Sequence, residues 1–346
     1  MERRRWPYFV LPLLFLAAAQ TQAEPPGDTA GLKAEQQQRL QRLDALRKPT
    51  EKESRVKASP SHAKIVGGGP AKFGRYPAAV ALAFEPADPN VQCTKIDGKY
   101  CQYCGGTLIS SEWVLTAAHC DVWPKTSSYP GDKVVVGGWK LSNNTGVPRN
   151  ALQVINHPQY DADTHDFDIA LVRLDQPISA EEKRPVALVS GDSDLDDPGQ
   201  LATVVGWGHL QESGSGSDIL QEVAVPILTN EVCADLYQRA GATITENMLC
   251  AGMAGKDSCQ GDSGGGMLVA AEQGPDQVAG VVSWGIGCAR EGFPGVYTRV
   301  ANFLDWIQAE TGIEPPQEPE CAPCRDEQEI IREYLEKLLS DMGDQG

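Results

Sequence analysis

The sequence predicts an all-β protein, a sandwich or a barrel, and three observations carry that reading. Thirty-five glycines and 24 prolines favour a turn-rich chain over a helical bundle. Between residues 65 and 312, short β-branched and aromatic runs alternate with Gly, Pro, Asn and Asp, at 78–84, 113–117, 133–136, 169–174, 202–205, 278–284 and 295–300. Strands of that length between turn signals indicate a sandwich or barrel. With 346 residues and 41% hydrophobic content, the chain is also long enough to bury a sizeable core.

Taken in order, residues 1–23 read as a secretory signal. Arg3, Arg4 and Arg5 make the positive start, Phe9 to Ala19 the apolar stretch, and Thr21-Gln22-Ala23 a small-residue cleavage site. The apolar stretch is shorter than the roughly 20 residues that span a bilayer, so no stable membrane anchor is expected. Secretion to an extracellular or periplasmic space is the expectation. Residues 24–64 are polar and lack cysteine, which fits a propeptide or a solvated spacer. Leu40, Leu43 and Leu46 predict a short amphipathic helix over 34–48. A piece cut off at its C-terminal end would leave without a disulfide tether.

The composition changes sharply at Lys64-Ile65-Val66-Gly67-Gly68, where the strand-rich body begins. That body ends in a predicted helix over 300–311, with Phe303, Trp306 and Ile307 on one side and Gly312 as its stop. Residues 313–323 form a Pro/Glu-rich linker. Beyond it, Ile330, Ile331, Tyr334, Leu335, Leu338 and Leu339 make one apolar helical face within 325–342. That face packs on the body, or serves self-association or a partner.

Asp+Glu of 47 against Lys+Arg of 30 gives a net charge of −17. Nucleic acid is thereby excluded as the main partner, since phosphate binding needs a basic footprint. An acidic surface favours cationic substrates instead. Ten cysteines suggest disulfides and an oxidising compartment.

The stretch Lys256-Asp257-Ser258-Cys259-Gln260-Gly261-Asp262-Ser263-Gly264-Gly265-Gly266 sets one serine among carboxylates and glycines. Glycines allow close approach of a carbonyl to main-chain N–H groups. A serine hydroxyl is a weak nucleophile until a base takes its proton, and the base needs an orienting carboxylate. Thr116-Ala117-Ala118-His119-Cys120 offers the base at a strand end, and Asp166-Phe167-Asp168-Ile169-Ala170-Leu171 offers the carboxylate. Singly, these are a Gly-rich loop, a structural histidine and a turn aspartate; together they describe a nucleophilic site.

These stretches resemble the trypsin/chymotrypsin family of secreted serine endopeptidases. IVGG (65–68), CGGTLIS (104–110), LTAAHC (115–120), DIAL (168–171), VGWG (205–208), DSCQGDSGG (257–265), VSWG (282–285) and PGVYTRV (294–300) follow in family order across residues 65–312. The resemblance implies two six-stranded antiparallel β-barrels with the active site between them. It implies His119 as general base, Asp168 as its orienter and Ser263 as nucleophile, with the N–H groups of Gly261 and Ser263 as the oxyanion hole. Asp166 is a rival orienter, but it lies outside the Asp-Ile-Ala-Leu pattern.

Asp257 matches the base of the family's primary pocket, with Ser258 beside it and Gly285 and Gly295 in the wall. A desolvated carboxylate there implies polypeptide substrates cut after Lys or Arg; an internally paired Asp257 would close the pocket instead. Ser283, Trp284 and Gly285 are expected to bind substrate backbone as an added strand. The resemblance further implies that cleavage after Lys64 frees the amine of Ile65 to pair with Asp262 and order the pocket, a charge-driven switch. Lys64 itself fits the inferred specificity, which makes self-activation reasonable. Protein inhibitors are conceivable partners, and no cofactor or metal is implied.

Family positions imply the disulfides Cys104–Cys120, Cys233–Cys250 and Cys259–Cys288. Cys93, Cys101, Cys321 and Cys324 then allow three pairings. Cys93 with Cys101 is favoured because they flank a hairpin-like insert, and Cys321 with Cys324 reads as a local bridge, with a tail-to-insert pairing as the runner-up. Gly266 stands where the family has proline, which is expected to loosen that turn. Gly138 and Asn143-Asn144-Thr145 replace the acidic ligands of calcium-binding relatives, and Pro294 argues against a sodium site. The alternative function is a non-catalytic binding protein on the same fold.

Overall fold

The computed structural model describes residues 66–315, apart from 88, 89, 91, 128–130, 144, 192, 213, 272 and 273. The signal and propeptide segments, Lys64, Ile65, the helix expected over 34–48, and the C-terminal stretch with Cys321, Cys324 and its apolar face lie outside the described residues.

A two-residue strand β1 (Gly69–Pro70) leads in. The first barrel follows with β2 (Ala79–Phe84), β3 (Lys95–Ile96), β4 (Tyr100–Leu108), β5 (Trp113–Thr116), β6 (Lys133–Val136), β7 (Val147–Asn156) and β8 (Ala170–Leu174). Six of these run β2-β6-β7-β8-β5-β4, and β4 pairs back onto β2, so the sheet closes and leaves no edge. The short β3 hangs on β4 as a hairpin. Its turn is closed by the Lys99 N–H on the Ile96 carbonyl, with Asp97 and Gly98 at φ 53° and 68°. Cys93–Cys101 staples the hairpin, as the insert's flanking cysteines predicted.

After β9 (Ala187–Leu188) comes the second barrel, made of β10 (Leu201–Gly206), β11 (Gln221–Leu228), β12 (Met248–Ala251), β13 (Gly266–Val269), β14 (Gln277–Trp284) and β15 (Gly295–Arg299). The order is β11-β10-β13-β14-β15-β12, closed by β11 on β12. Outside the ring, β1 pairs with β11 and β9 runs parallel to β14. The architecture is therefore two closed six-stranded antiparallel barrels.

These strands are short and apolar because barrel walls bury them. All four residues of β5 are buried, as are Val134, Val135 and Val136 of β6. Leu108, Leu115 and Leu171 expose nothing, and each such side chain contributes about 1.5–3 kcal/mol of transfer free energy. Two helices complete the body: α1 (Asn230–Gln238) and α2 (Leu304–Thr311).

The predicted C-terminal helix begins as a 3-10 turn over Val300–Phe303 before α2, and Gly312 at φ 73° ends it. The sequence reading missed α1. Its signals are short: the Thr229 hydroxyl caps the Val232 N–H, and only Cys233 and Tyr237 are buried. Gly266 differs from expectation as well. It opens β13 rather than loosening a turn, and a Cβ there would lie 2.4 Å from Thr107 Oγ1.

Candidate active site

The chain leaves β5 through a 3-10 turn, Ala118–Cys120, which ends where Asp121 adopts φ 47°. Disulfide Cys104–Cys120 ties this turn to β4. His119 stands on the turn with 21% of its side chain exposed. Its Nδ1 lies 2.7 Å from Asp168 Oδ2, and its main-chain N–H donates to Asp168 Oδ1 at 2.9 Å.

Asp168 sits two residues before β8 and is fully buried. The Ser283 hydroxyl donates to its carboxylate, and Thr298 Oγ1 donates to its carbonyl at 2.6 Å. Burial pushes this carboxyl's pKa up, but the imidazole and hydroxyl donors outweigh burial and hold it below the usual carboxylate range. An ionised carboxylate only accepts, so Nδ1 carries the proton and Nε2 is left as the basic lone pair. The rival Asp166 points elsewhere: its Oδ1 accepts from Thr245 Oγ1 at 2.9 Å and Asn247 Nδ2 at 3.0 Å.

Ser263 lies in the loop between Asp257 and Gly265, brought to the His119 turn by closure of both barrels. Its carbonyl accepts from the Gly105 N–H at 2.7 Å, and Cys120 Sγ lies 3.6 Å from the same oxygen. Gly264 makes this approach possible. It sits at φ 78°, and a Cβ there would fall 2.2 Å from Thr116 Oγ1. No hydrogen bond joins the Ser263 hydroxyl to the imidazole among the described residues; contacts of this kind tighten in the complex with substrate. Among the described residues, the N–H groups of Gly261 and Ser263 donate to no protein acceptor.

A cavity of about 200 Å³ opens beside Ser263, lined by Asp257, Ser258, Ser283, Trp284, Gly285 and Gly295 among others. The expected pocket residues therefore meet. At Gly295 a Cβ would come 2.6 Å from Asp257 Oδ1, so only glycine keeps that carboxylate reachable. Asp257 is 3% exposed and accepts from the Ser258 N–H at 2.8 Å and the Ala289 N–H at 3.1 Å. No Lys or Arg pairs with it among the described residues. Burial pushes its pKa up to about 6, with the backbone donors pulling the other way. Above the cavity β14 carries a bulge: Val282 faces Tyr297 and Trp284 faces Val296, leaving Ser283 out of register.

Asp262 is wholly buried, accepting from the Gly208 N–H at 2.8 Å and the Cys259 N–H at 3.0 Å. Burial raises its pKa to about 7. Val66, at the start of the described chain, accepts from the Asp257 N–H at 3.2 Å. The disulfides Cys233–Cys250 and Cys259–Cys288 are present as implied. Cys104, His119 and Cys120 cluster closely, but the two cysteines are disulfide-bonded and hold no thiolate for a metal.

Three contributors were not legible in the sequence. Tyr237 packs its ring 5.0 Å from Trp284 and donates to the Pro294 carbonyl at 2.6 Å, bracing the pocket wall. His165, at φ 57°, places its ring 6.0 Å from His119 and 6.4 Å from Trp284. Gln102 donates from Nε2 to the carbonyls of Gly261 at 2.8 Å and Cys104 at 3.0 Å. It fixes the Gly261–Asp262 peptide, the one that follows the Gly261 N–H facing the cleft. Gln102→Leu should lower kcat about 2- to 12-fold, the worth of one net hydrogen bond, with KM for a short substrate unchanged; steady-state kinetics check the split.

A family model described as Trypsin matches residues 65–307. Among curated proteins, serine proteinase stubble of Drosophila melanogaster is 39% identical over 254 residues, covering 70% of this chain and 30% of its own length. Trypsin eta of the same fly is 40% identical over 210 residues, covering 60% of this chain and 76% of its own. Serine protease filzig, also from the fly, is 37% identical over 257 residues, 72% of this chain and 14% of its own. The chain thus spans 30% of the first of these relatives.

Proposed function

Because this chain belongs to the trypsin family, we propose that it is a secreted serine endopeptidase, made as a zymogen, that cuts polypeptides after Lys or Arg. The observation that carries the reading is the convergence of an ion-paired His119–Asp168 couple and two unengaged N–H donors on the Ser263 loop. His119 Nε2 takes the Ser263 proton as Oγ attacks the carbonyl, and the proton then passes to the leaving amine. The Gly261 and Ser263 N–H groups receive the oxyanion. That effect is worth about 2.7–4 kcal/mol per donor, a magnitude taken from other serine proteases rather than from this chain. Asp257 supplies the anion for a Lys or Arg side chain. Substrate backbone lies along the bulged end of β14.

The buried Asp262 supports activation by cleavage after Lys64. Its carboxylate has two N–H donors but no cation among the described residues, and an α-ammonium would supply one. A terminal amine has an unfolded pKa of about 7.7–8.0, and pairing raises it in the folded state. The stabilisation is therefore complete below pH about 7.7 and disappears as pH rises through the folded value. Protein cleaved after Lys64 should melt above the intact chain at pH 7, with the gap closing above pH about 8 in calorimetry. An equal gap at every pH would refute the pairing.

The direct test is covalent. Cleaved protein should hydrolyse Lys and Arg p-nitroanilides and take up one equivalent of a fluorophosphonate on Ser263, while Ser263→Ala does neither. A protein that binds peptides, hydrolyses none and stays unlabelled would be the non-catalytic binder instead. No helix among the described residues is long and apolar enough to cross a membrane.

A further inference from the structure

Asp166 and Asp168 both stand just before β8, and the imidazole uses only the second of them. Asp166 faces the second barrel instead. Its Oδ1 accepts from three donors: Thr245 Oγ1 at 2.9 Å, Asn247 Nδ2 at 3.0 Å and the Phe167 N–H at 3.0 Å. Thr245 and Asn247 lie just before β12, whose Met248 pairs with Thr298 of β15. Asn247 is held firmly there. Its carbonyl accepts from the Arg299 N–H at 2.8 Å, and its Oδ1 accepts from Asn302 Nδ2 at 3.3 Å. The second of these bonds turns the Asn247 NH₂ towards Asp166.

Between the two carboxylates lies Phe167 at φ 54°, in the left-handed region that a bulky side chain rarely enters. Three contacts hold it there. Its N–H donates to Asp166 Oδ1, its carbonyl accepts from the Ile169 N–H at 2.8 Å, and its ring stacks on His157 with centroids 4.9 Å apart. The Ile169 bond closes a three-residue turn with Asp168 at its centre. The direction of the Asp168 side chain thus depends on Phe167 keeping an unfavourable backbone angle. Such angles persist only where surrounding contacts over-determine them. The Asp168 carbonyl is tied to the same part of the second barrel, by Thr298 Oγ1 at 2.6 Å.

Resting on the protease reading above, we propose that Asp166 is a positioning residue for the catalytic carboxylate. Its bonds to Thr245 and Asn247 fasten the 166–168 turn of the first barrel to the second barrel, and so aim Asp168 at His119. It acts as an acceptor and not through its charge, since one oxygen takes all three donors and an amide oxygen can do the same. The fastening matters because base and carboxylate come from the first barrel while the Ser263 loop enters β13 of the second.

The test compares the cleaved full chain with Asp166→Ala, Asp166→Asn and Asn247→Ala. It reads kinetics on an arginyl p-nitroanilide and the proton NMR resonance of the His119 Nδ1–H. A short bond to a buried carboxylate moves that resonance well downfield of the amides. Misplacement by about 1 Å can cost about 10²-fold, so Asp166→Ala should lower kcat about 10- to 100-fold with KM within about twofold of wild type. Its Nδ1–H resonance should move upfield or broaden. Asp166→Asn should recover both the resonance and kcat, the latter to within about threefold, because the acceptor is kept. Asn247→Ala should act in the same direction, and adding it to Asp166→Ala should cost little more, since the two residues share one interaction.

Full kcat with an unmoved resonance in Asp166→Ala overturns the positioning role. So does an Asn variant as impaired as the Ala variant, or a loss that falls on KM with kcat intact. Should Asp166→Ala fail to fold, Asn247→Ala decides the matter by the same two readouts. The resonance reports the His119–Asp168 geometry whether or not substrate is turned over. A wild type that hydrolyses nothing therefore sinks the protease reading alone, and the spectra of the variants still decide the role of Asp166.

Discussion

Asp168→Asn is expected to lower kcat about 10⁴-fold, a magnitude carried over from the corresponding change in a well-characterised protease of this family. The reason lies in which nitrogen of His119 holds the proton. In the wild type the buried carboxylate accepts from Nδ1 at 2.7 Å, from the His119 main chain and from the Ser283 hydroxyl. An asparagine that keeps its oxygen on the His119 main-chain N–H puts its NH₂ where Oδ2 stood, facing both Nδ1 and the Ser283 hydroxyl, which can rotate to accept. Nδ1 must accept, the proton moves to Nε2, and the lone pair that Ser263 needs is gone. Substrate binding is untouched by this exchange, so KM should change little while kcat collapses. A drop of less than about tenfold, in protein that melts like the wild type, would show that His119 is not the base.

Asp257→Asn should cost the Lys and Arg substrates about 10³-fold in kcat/KM, in the range of 2–5 kcal/mol for removing one partner of a buried charge pair. The amide oxygen can keep one of the two backbone donors, the Ser258 or the Ala289 N–H, which bond different carboxylate oxygens, so the side chain keeps its volume and one of its anchors. The pH dependence identifies the group. Burial sets the unliganded carboxyl at about 6, so KM for a lysyl substrate should rise as pH falls below that value, and this limb should vanish in the variant.

Stability should move the other way. A folded pKa raised to about 6, from about 3.9 unfolded, stabilises the fold fully below pH 4, and that contribution is lost as pH rises through 6. At pH 7.5 the wild type therefore carries an unpaired buried charge that the asparagine variant lacks. The variant should melt higher there and lose its advantage near pH 4. Unchanged cleavage after Lys and Arg by the variant would assign the specificity elsewhere.

The strand runs around 113–117, 133–136 and 278–284 were legible because barrel walls bury short β-branched stretches between turn residues. The Cys93–Cys101 staple was legible for a similar local reason: the two cysteines are eight positions apart, and Asp97-Gly98 turns the chain between them. Helix α1 left a weaker trace, since one threonine cap and two buried side chains are a small signal in nine residues.

The resemblance of the ordered motifs supplied Asp257 as a pocket anion, Asp168 over Asp166, and the glycines of the oxyanion hole. Residue chemistry in the linear chain by itself singled out a serine among glycines, a histidine at a strand end and a carboxylate before a strand. It could not say which aspartate, 166 or 168, the imidazole meets. Nor could it show that Gln102 braces Gly261 from 159 positions away. Those outcomes depend on the closure of two barrels against each other. Hydrogen bonds act over about 3 Å, and only packing brings groups so distant along the chain to that range.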